Sequence, residues 1–470
     1  MKNENEGNIM IIEEYDLIVV GGGIAGLYCC MRSEQNKKVG LFEATNRVGG
    51  KIETVKMDVF DAEYGAMRFD PLKQPMMREL IQELGLELED FYEYSCPPLE
   101  NTRTLYDLDD SEKGLNSLQL FNLGLQRIFN KTEEELLALT EEEIDHIKRE
   151  GKYKDKFLWE QGFWNVFSDV LSHDAIKYII MEGSFFHFIH ENISTADWGT
   201  DWIKLFQMSK YLKGIKNGMS LITDTMFDRI RDKVEINKNH ILLEISPDDD
   251  SGDKIKLRFE NNKKEKICIA KNVILAIPRR SLKSVKGLPD NITNLLDSVI
   301  DIPLMKCFYV VKNPWWEENI PNEGLIPFPA REMHYYKKDG KGNVMVYADR
   351  PYIYFWNQFI NSSYHPEAET ENNKELPLTF ARLMNINPDD IITYGIRDWG
   401  REPYGAACHI WRSGVKSWEI SKIMEGFSLN NARIINVHIC GETYSQFQGF
   451  MEGAVRTAHN VMLKINKDNE

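Results

Sequence analysis

Residues 15–51 read YDLIVVGGGIAGLYCCMRSEQNKKVGLFEATNRVGGK, and this stretch decides the fold. The apolar run 17–20 ends at Gly21, and Gly21, Gly23 and Gly26 take the G-x-G-x-x-G spacing, with Ile24 and Ala25 between, before a predicted helix over 27–32. Strand, glycine turn and helix in that order make a dinucleotide cradle. The first glycine allows a tight turn, the second lets backbone N–H groups approach a pyrophosphate at the helix N-terminus, and the third lets helix and sheet touch. A second predicted strand, 38–42, ends on Glu43, about 20 residues on, where a carboxylate meets the ribose hydroxyls. An adenine dinucleotide is implied, and the spacing alone leaves NAD and FAD open. The continuation Ala44-Thr45-Asn46-Arg47-Val48-Gly49-Gly50-Lys51 supplies a second glycine pair with flanking cations. A nicotinamide site has no need of it, whereas a second approach to the pyrophosphate gives it a use.

At 470 residues the chain is too long for one core and is expected to form two or three domains. Its 42% hydrophobic and 28% charged residues are those of a globular protein. A net charge of −16 disfavours nucleic acid and anionic membranes and mildly favours cationic small molecules. The polar start MKNENEGNIM lacks an apolar signal core, and no run approaches 18 apolar residues, so neither export nor a membrane span is expected. The seven cysteines show no disulfide or zinc spacing, which fits a reducing cytoplasm, and no metal is expected.

Past residue 70 the chain turns acidic and helical. Thr132 and Thr140 are each followed three residues later by glutamate, the pattern of a capping box. Residues 157–183 read as a buried helix pair, while 183–190 have no clear period. A helix over 219–230 precedes short strands at 233–236, 241–245, 254–260 and 265–269, then a buried strand at 272–277 that returns to a parallel sheet. Residues 304–311, 342–348 and the aromatic segment to 359 suggest a second sheet. A strand over 434–440 and a helix from Met451 close the chain. The expected class is α/β, with a Rossmann-like nucleotide domain built from 13–75, 215–300 and 432–466, a mixed-sheet substrate domain from 76–105 and 301–431, and a helical insertion at 106–214.

With these pieces assembled, the chain resembles the flavin amine oxidases, the family of monoamine, polyamine and L-amino-acid oxidases, over nearly its whole length. The resemblance implies FAD. It assigns cofactor contacts to the glycine turn, to Glu43 and Ala44, and to Arg47, Gly49 and Gly50, with Lys51 where the family has a second arginine, a charge without the bidentate fork. It adds Gly65, Ala66, Met67 and Arg68 beside the isoalloxazine, Val234 at the adenine, and Trp399 in the segment crossing the flavin. From the C-terminal motif come Gly441, Glu442, Gly449, Phe450 and Met451, where a helix would aim its positive end at the flavin.

The same resemblance gives Arg68 the grip on a substrate carboxylate through two charge-assisted hydrogen bonds, although a local ion pair with Asp70 or Glu63 would also explain it. Tyr347 would add a second bond to that carboxylate or serve as a core aromatic. Lys306 would hold a water against flavin N5 and help oxygen accept electrons, a catalytic role. A lysine in an apolar strand is costly unless paired or hydrated, and the alternative is a lysine at a strand edge facing solvent. Phe450, Trp202 and Phe206 would line the substrate pocket, and Asp349 would meet a cationic side chain or pair with Arg331. Cys408 matches a position that is joined to flavin in monoamine oxidases, but Ala406, Ala407 and His409 replace the family's neighbours, so noncovalent FAD is expected and a covalent link at Cys408 stays open. The implied activity is oxidative deamination of an L-amino acid to the 2-oxo acid with release of ammonia and hydrogen peroxide, by hydride transfer from Cα to N5. The alternatives are a primary-amine oxidase, a flavin-binding protein without turnover, and a nicotinamide dehydrogenase. The partners are a small amino acid and oxygen, with a homodimer left open. The side chain is undecided between aromatic and basic.

Overall fold

The structure, a computed structural model, describes residues 12–91, 106–183, 190–206, 212–248, 253–316, 329–360, 369–370, 374–401, 403–429 and 435–467. The strand Glu13–Val20 buries both of its faces, as a central parallel strand must: Leu17 and Val19 meet the helices on one side, while Ile18 and Val20 meet a second apolar layer on the other. It pairs in parallel with Val39–Phe42 on one edge and with Lys264–Leu275 on the other. Glu235–Asn237 extends the sheet beyond Val39–Phe42, again in parallel. The two strands expected at 265–269 and 272–277 are one continuous strand. Its first half pairs antiparallel with Ile255–Asn261, and its last residues pair in parallel with Val437–Ile439. The pairing with Glu13–Val20 skips the exposed Lys271 but keeps one register on both sides of it, so the two halves stay one strand.

The helices Ile24–Arg32, Pro75–Leu84, Ser220–Ile230 and Met451–Lys467 cover one face of this sheet. A second, antiparallel sheet runs in the order Glu332–Lys338, Lys341–Ala348, Met305–Val311, Ile391–Asp398 and Glu369–Thr370. Its first hairpin turns at Asp339 and Gly340, both at positive φ, the conformation a two-residue type I′ turn requires. The aromatic segment to 359 is not a strand. Pro351 opens the helix Tyr352–Trp356, and a 3₁₀ turn, Asn357–Phe359, follows. Helices Ser117–Phe129, Glu141–Glu150, Phe163–Val170, His173–Glu182 and Thr195–Phe206 gather around Phe121, Phe163, Phe167 and Trp198. Both capping boxes form, with each threonine side chain on the N3 amide and each N3 glutamate on the N-cap amide. Among the described residues no helix is long and apolar enough to cross a membrane.

Candidate active site

One cavity of about 580 Å³ runs between the two sheets, within the range of about 300–1,000 Å³ common for ligand sites. At one end its wall is Gly21, Gly23, Ile24, Ala25, Glu43 and Ala44, joined by His240 and Leu242. The helix Ile24–Arg32 begins at Gly23 with no side-chain cap and no acidic residue in its first turn, and Gly23, Ile24 and Ala25 line the cavity, a helix N-terminus suited to an anion. Gly26 is required by close approach: a Cβ there would lie 1.9 Å from the Gly21 carbonyl oxygen. Glu43 accepts from the Gly22 amide at 2.7 Å and from the Thr45 amide and hydroxyl at 2.8 Å each, so one of its four lone-pair sites is left for a ribose hydroxyl.

The second glycine turn docks on the first, with the Gly49 amide donating to the Gly22 carbonyl at 2.8 Å. Gly49, Gly50 and Lys51 line the cavity, but Arg47 does not. Its guanidinium donates to the Ile52 carbonyl at 2.9 Å and to those of Val48 and Gly50, so it shapes the turn rather than reaching the ligand space. Val234 is likewise off the wall, buried among the apolar residues under the helices with its amide on the Ile230 carbonyl. Across the cavity Gly441, at φ +125°, has nothing within 4 Å of where a Cβ would sit, so a side chain there would enter the ligand space.

At the other end stand Gly65, Ala66, Lys306, Tyr347, Trp399, Cys408, Gly449, Phe450 and Met451. Lys306 is 2% exposed inside a strand whose every residue is buried. Its ammonium donates to the carbonyls of Glu63 at 2.9 Å and Gly65 at 2.7 Å, with the Met67 sulfur at 3.4 Å. Burial pulls its pKa down to about 7; the Glu63 carboxyl opposes this and the Arg68 charge adds to it. Burial pushes Glu63 up to about 8, against donors from the Met219 amide and the Thr54 hydroxyl. The strand register sets Lys306 opposite Tyr347 and Tyr347 opposite Glu332, one polar row across three strands, with the Lys306 ammonium 5.0 Å from the Tyr347 ring centre. Burial raises the Tyr347 phenol, and Arg68 opposes the rise.

Arg68 is half-buried with its guanidinium 5.4 Å from the Phe91 ring centre, off the cavity wall but close enough for its charge to act on Lys306, Tyr347, His334 and Tyr336. Asp349 pairs with Arg331 at 2.9 Å, 1% exposed, instead of facing the cavity; burial still lifts it to about 6. Trp202 lies in the apolar cluster that contains Cys408 and Leu304, its ring 5.0 Å from Phe121. The side chain of Phe206 lies outside the described residues. Trp399 donates to the Tyr64 carbonyl at 2.7 Å, which fixes its ring at the wall. Burial raises the Cys408 thiol well above its usual range, which keeps it a poor nucleophile.

Sequence reasoning passed over two buried groups. Glu332 and His334 stand two apart on one strand face, 3.1 Å from each other, beside Tyr347. His409, fully buried, meets Glu442 at 3.0 Å. The signal for both was there: ionisable residues inside the otherwise apolar runs EMHYY and CHIW.

An uncapped helix N-terminus, two interlocked glycine turns and an open Gly441 fit a dinucleotide, and the buried cation and phenol at its far end fit a redox ring. That is the site of a flavin-dependent oxidoreductase. The family described as flavin-containing amine oxidoreductase matches residues 25–461, and the chain belongs to it: it is an FAD-dependent amine oxidoreductase acting on a small molecule. Among curated relatives, the L-amino acid oxidase bordonein-L of Crotalus durissus terrificus is 22% identical, over 97% of this chain and 87% of the relative. An L-amino-acid oxidase of Naja atra is 21% identical over 97% and 88%. Among solved structures, wild-type putrescine oxidase bound to putrescine superposes with a TM-score of 0.69 at 16% identity, covering 97% of this chain and all of that one, a likeness of fold.

Proposed function

We propose that this enzyme is an L-amino-acid oxidase that produces a 2-oxo acid, ammonia and hydrogen peroxide. The observation that carries this reading is the half-buried Arg68, set against Phe91 just outside the wall, whose charge reaches Lys306 and Tyr347 at the substrate end of the cavity and would draw a carboxylate there. The L-amino-acid oxidases among its relatives support it. When bound, FAD supplies the acceptor for the hydride leaving the substrate Cα. Tyr347 meets the carboxylate at the wall with the Arg68 charge behind it, Phe450 and Trp399 exclude water, and Lys306 holds a positive charge where oxygen is reduced. The raised Cys408 thiol supports noncovalent attachment, and the six cysteines among the described residues, all free, support a reducing compartment, the cytoplasm.

A second reading, oxidation of an amine that lacks the carboxylate, is favoured by Glu332, a buried carboxylate opposite Tyr347, and by the fold shared with putrescine oxidase. A peroxide assay over the twenty amino acids and their decarboxylated amines separates the two. Turnover of amino acids alone supports the first reading, and turnover of the amines at equal efficiency overturns it.

A further inference from the structure

Three separate segments meet where the cavity passes from the pyrophosphate end to the flavin side: the second glycine turn ending at Lys51, the strand Cys408–Trp411, and the turn at Gly449 that leads into the helix Met451–Lys467. One carboxylate touches all three. Glu442, its side chain 9% exposed, accepts from the His409 amide at 2.7 Å and the Gly449 amide at 3.1 Å through one oxygen, and from Lys51 at 3.2 Å and the His409 ring at 3.0 Å through the other. Burial pushes its carboxyl up, but Lys51 and His409 outweigh burial and hold it well below the usual carboxylate range.

His409 is the member of this knot that holds it from the far side. Its ring is fully buried, with Nδ1 on Glu442 and Nε2 3.5 Å from an Asp301 oxygen; neither that Nε2 nor that oxygen has a hydrogen bond at normal length. Asp301 is opposite His409 in the antiparallel pair of Val299–Ile302 with Cys408–Trp411, and its other oxygen binds Arg279 at 2.7 Å. The imidazole is thus set between two carboxylates whose other partners are fixed. Ring rotation would cost the bond to Glu442 without a replacement.

We propose that His409 is a positioning residue: its ring holds the Glu442 carboxylate in the orientation that joins the amide of the strand bearing Cys408 to the amide of the turn bearing Phe450, and so sets the width of the flavin end of the cavity. His409 itself lies behind the wall, since Glu442, Cys408 and Phe450 line the cavity and it does not. Removing the ring donor leaves one Glu442 oxygen on the two amides and only Lys51 on the other, so the carboxylate is free to turn and its bridge between the two wall segments loosens. The role concerns FAD alone and is independent of which amine is oxidised.

The test compares His409→Phe and His409→Leu, which lose the donor, with His409→Asn, whose amide can stand near the Nδ1 position. The readouts are the FAD dissociation constant, the visible spectrum of the bound flavin and the melting temperature of the FAD-free protein. Expected is FAD binding weakened about tenfold or more in the apolar variants, with a shifted flavin band, near-native values for Asn, and FAD-free melting alike in all three. Native FAD affinity and spectrum in a folded apolar variant would overturn the proposal, as would equal losses in the Asn variant. Hydrogen exchange on the unmodified protein gives a reading that needs no variant: the His409 and Gly449 amides should be protected together with FAD bound, and fast exchange at either overturns the lock.

Discussion

The two ends of the cavity are built by different means. At the adenine and pyrophosphate end the contacts come from consecutive backbone: turn, helix N-terminus and second turn lie within residues 21–51, and side chains such as Arg47 serve to shape loops. At the substrate end they come from side chains brought together by sheet register, Lys306 against Tyr347 against Glu332, with the carbonyls of Glu63 and Gly65 arriving from a distant loop. Backbone geometry tolerates no side chain but is indifferent to charge. A register-built site tolerates some change of shape but depends on the charge of each member.

The largest effect is expected where backbone contact is absolute. Gly26→Val drives a side chain into the Gly21 carbonyl, so the purified protein should be colourless, with no flavin released on denaturation; a yellow protein would break the comparison at its firmest point. Next, Lys306→Met should slow the oxygen-dependent half-reaction by about 10²-fold, in line with loss of a preorganised charge, while anaerobic flavin bleaching changes little. Stopped-flow measurement of the two halves checks this, and equal slowing would assign Lys306 to the framework. Arg68→Ala should lower kcat/KM for amino acids by roughly tenfold, the loss of one attractive charge behind the carboxylate site, and leave FAD bound. Unchanged kinetics on every active amino acid would remove the carboxylate assignment.

A subtler effect follows from charge. Lys306 titrates at about 7, being charged below and neutral above, so the oxygen-dependent rate should fall as pH rises through that value. Because Arg68 lowers the Lys306 pKa, Arg68→Ala should move the midpoint to higher pH; a downward or absent shift would show the two charges to be uncoupled. Smallest of all, Thr140→Ala removes a capping box far from the cavity and should cost about 1 kcal/mol in chemical denaturation with kinetics intact.

The backbone-built end was legible because its determinants are contiguous. G-x-G-x-x-G, the acidic residue after the second strand and the second glycine pair are all local patterns, and the structure sets Gly21, Gly23, Glu43, Gly49 and Gly50 on one wall. Arg47 was legible as a neighbour of that wall but not in its aim, since its carbonyl partners exist only once the loop has closed. At the other end, Lys306 stood out as a cation in an apolar strand, yet its acceptors are carbonyls some 240 residues away in sequence, and no local pattern encodes them. Asp349 is a contrast: alternation put it on the same strand face as Tyr347, and of the two partners the sequence offered it, a cationic substrate group or Arg331, the structure shows Arg331. His409 and Glu332 were visible as polar interruptions of apolar runs, and only pairing revealed what each one holds.

The long strand Lys264–Leu275 has a consequence for the order of assembly. Its last residues wait for Val437–Ile439, which lead into Gly441, Glu442 and the helix Met451–Lys467. The glycine turns and the wall that faces them are about 400 residues apart in the chain, so the turns alone make only half of the cradle. Enclosure of FAD therefore waits on Gly441, Glu442 and the helix Met451–Lys467.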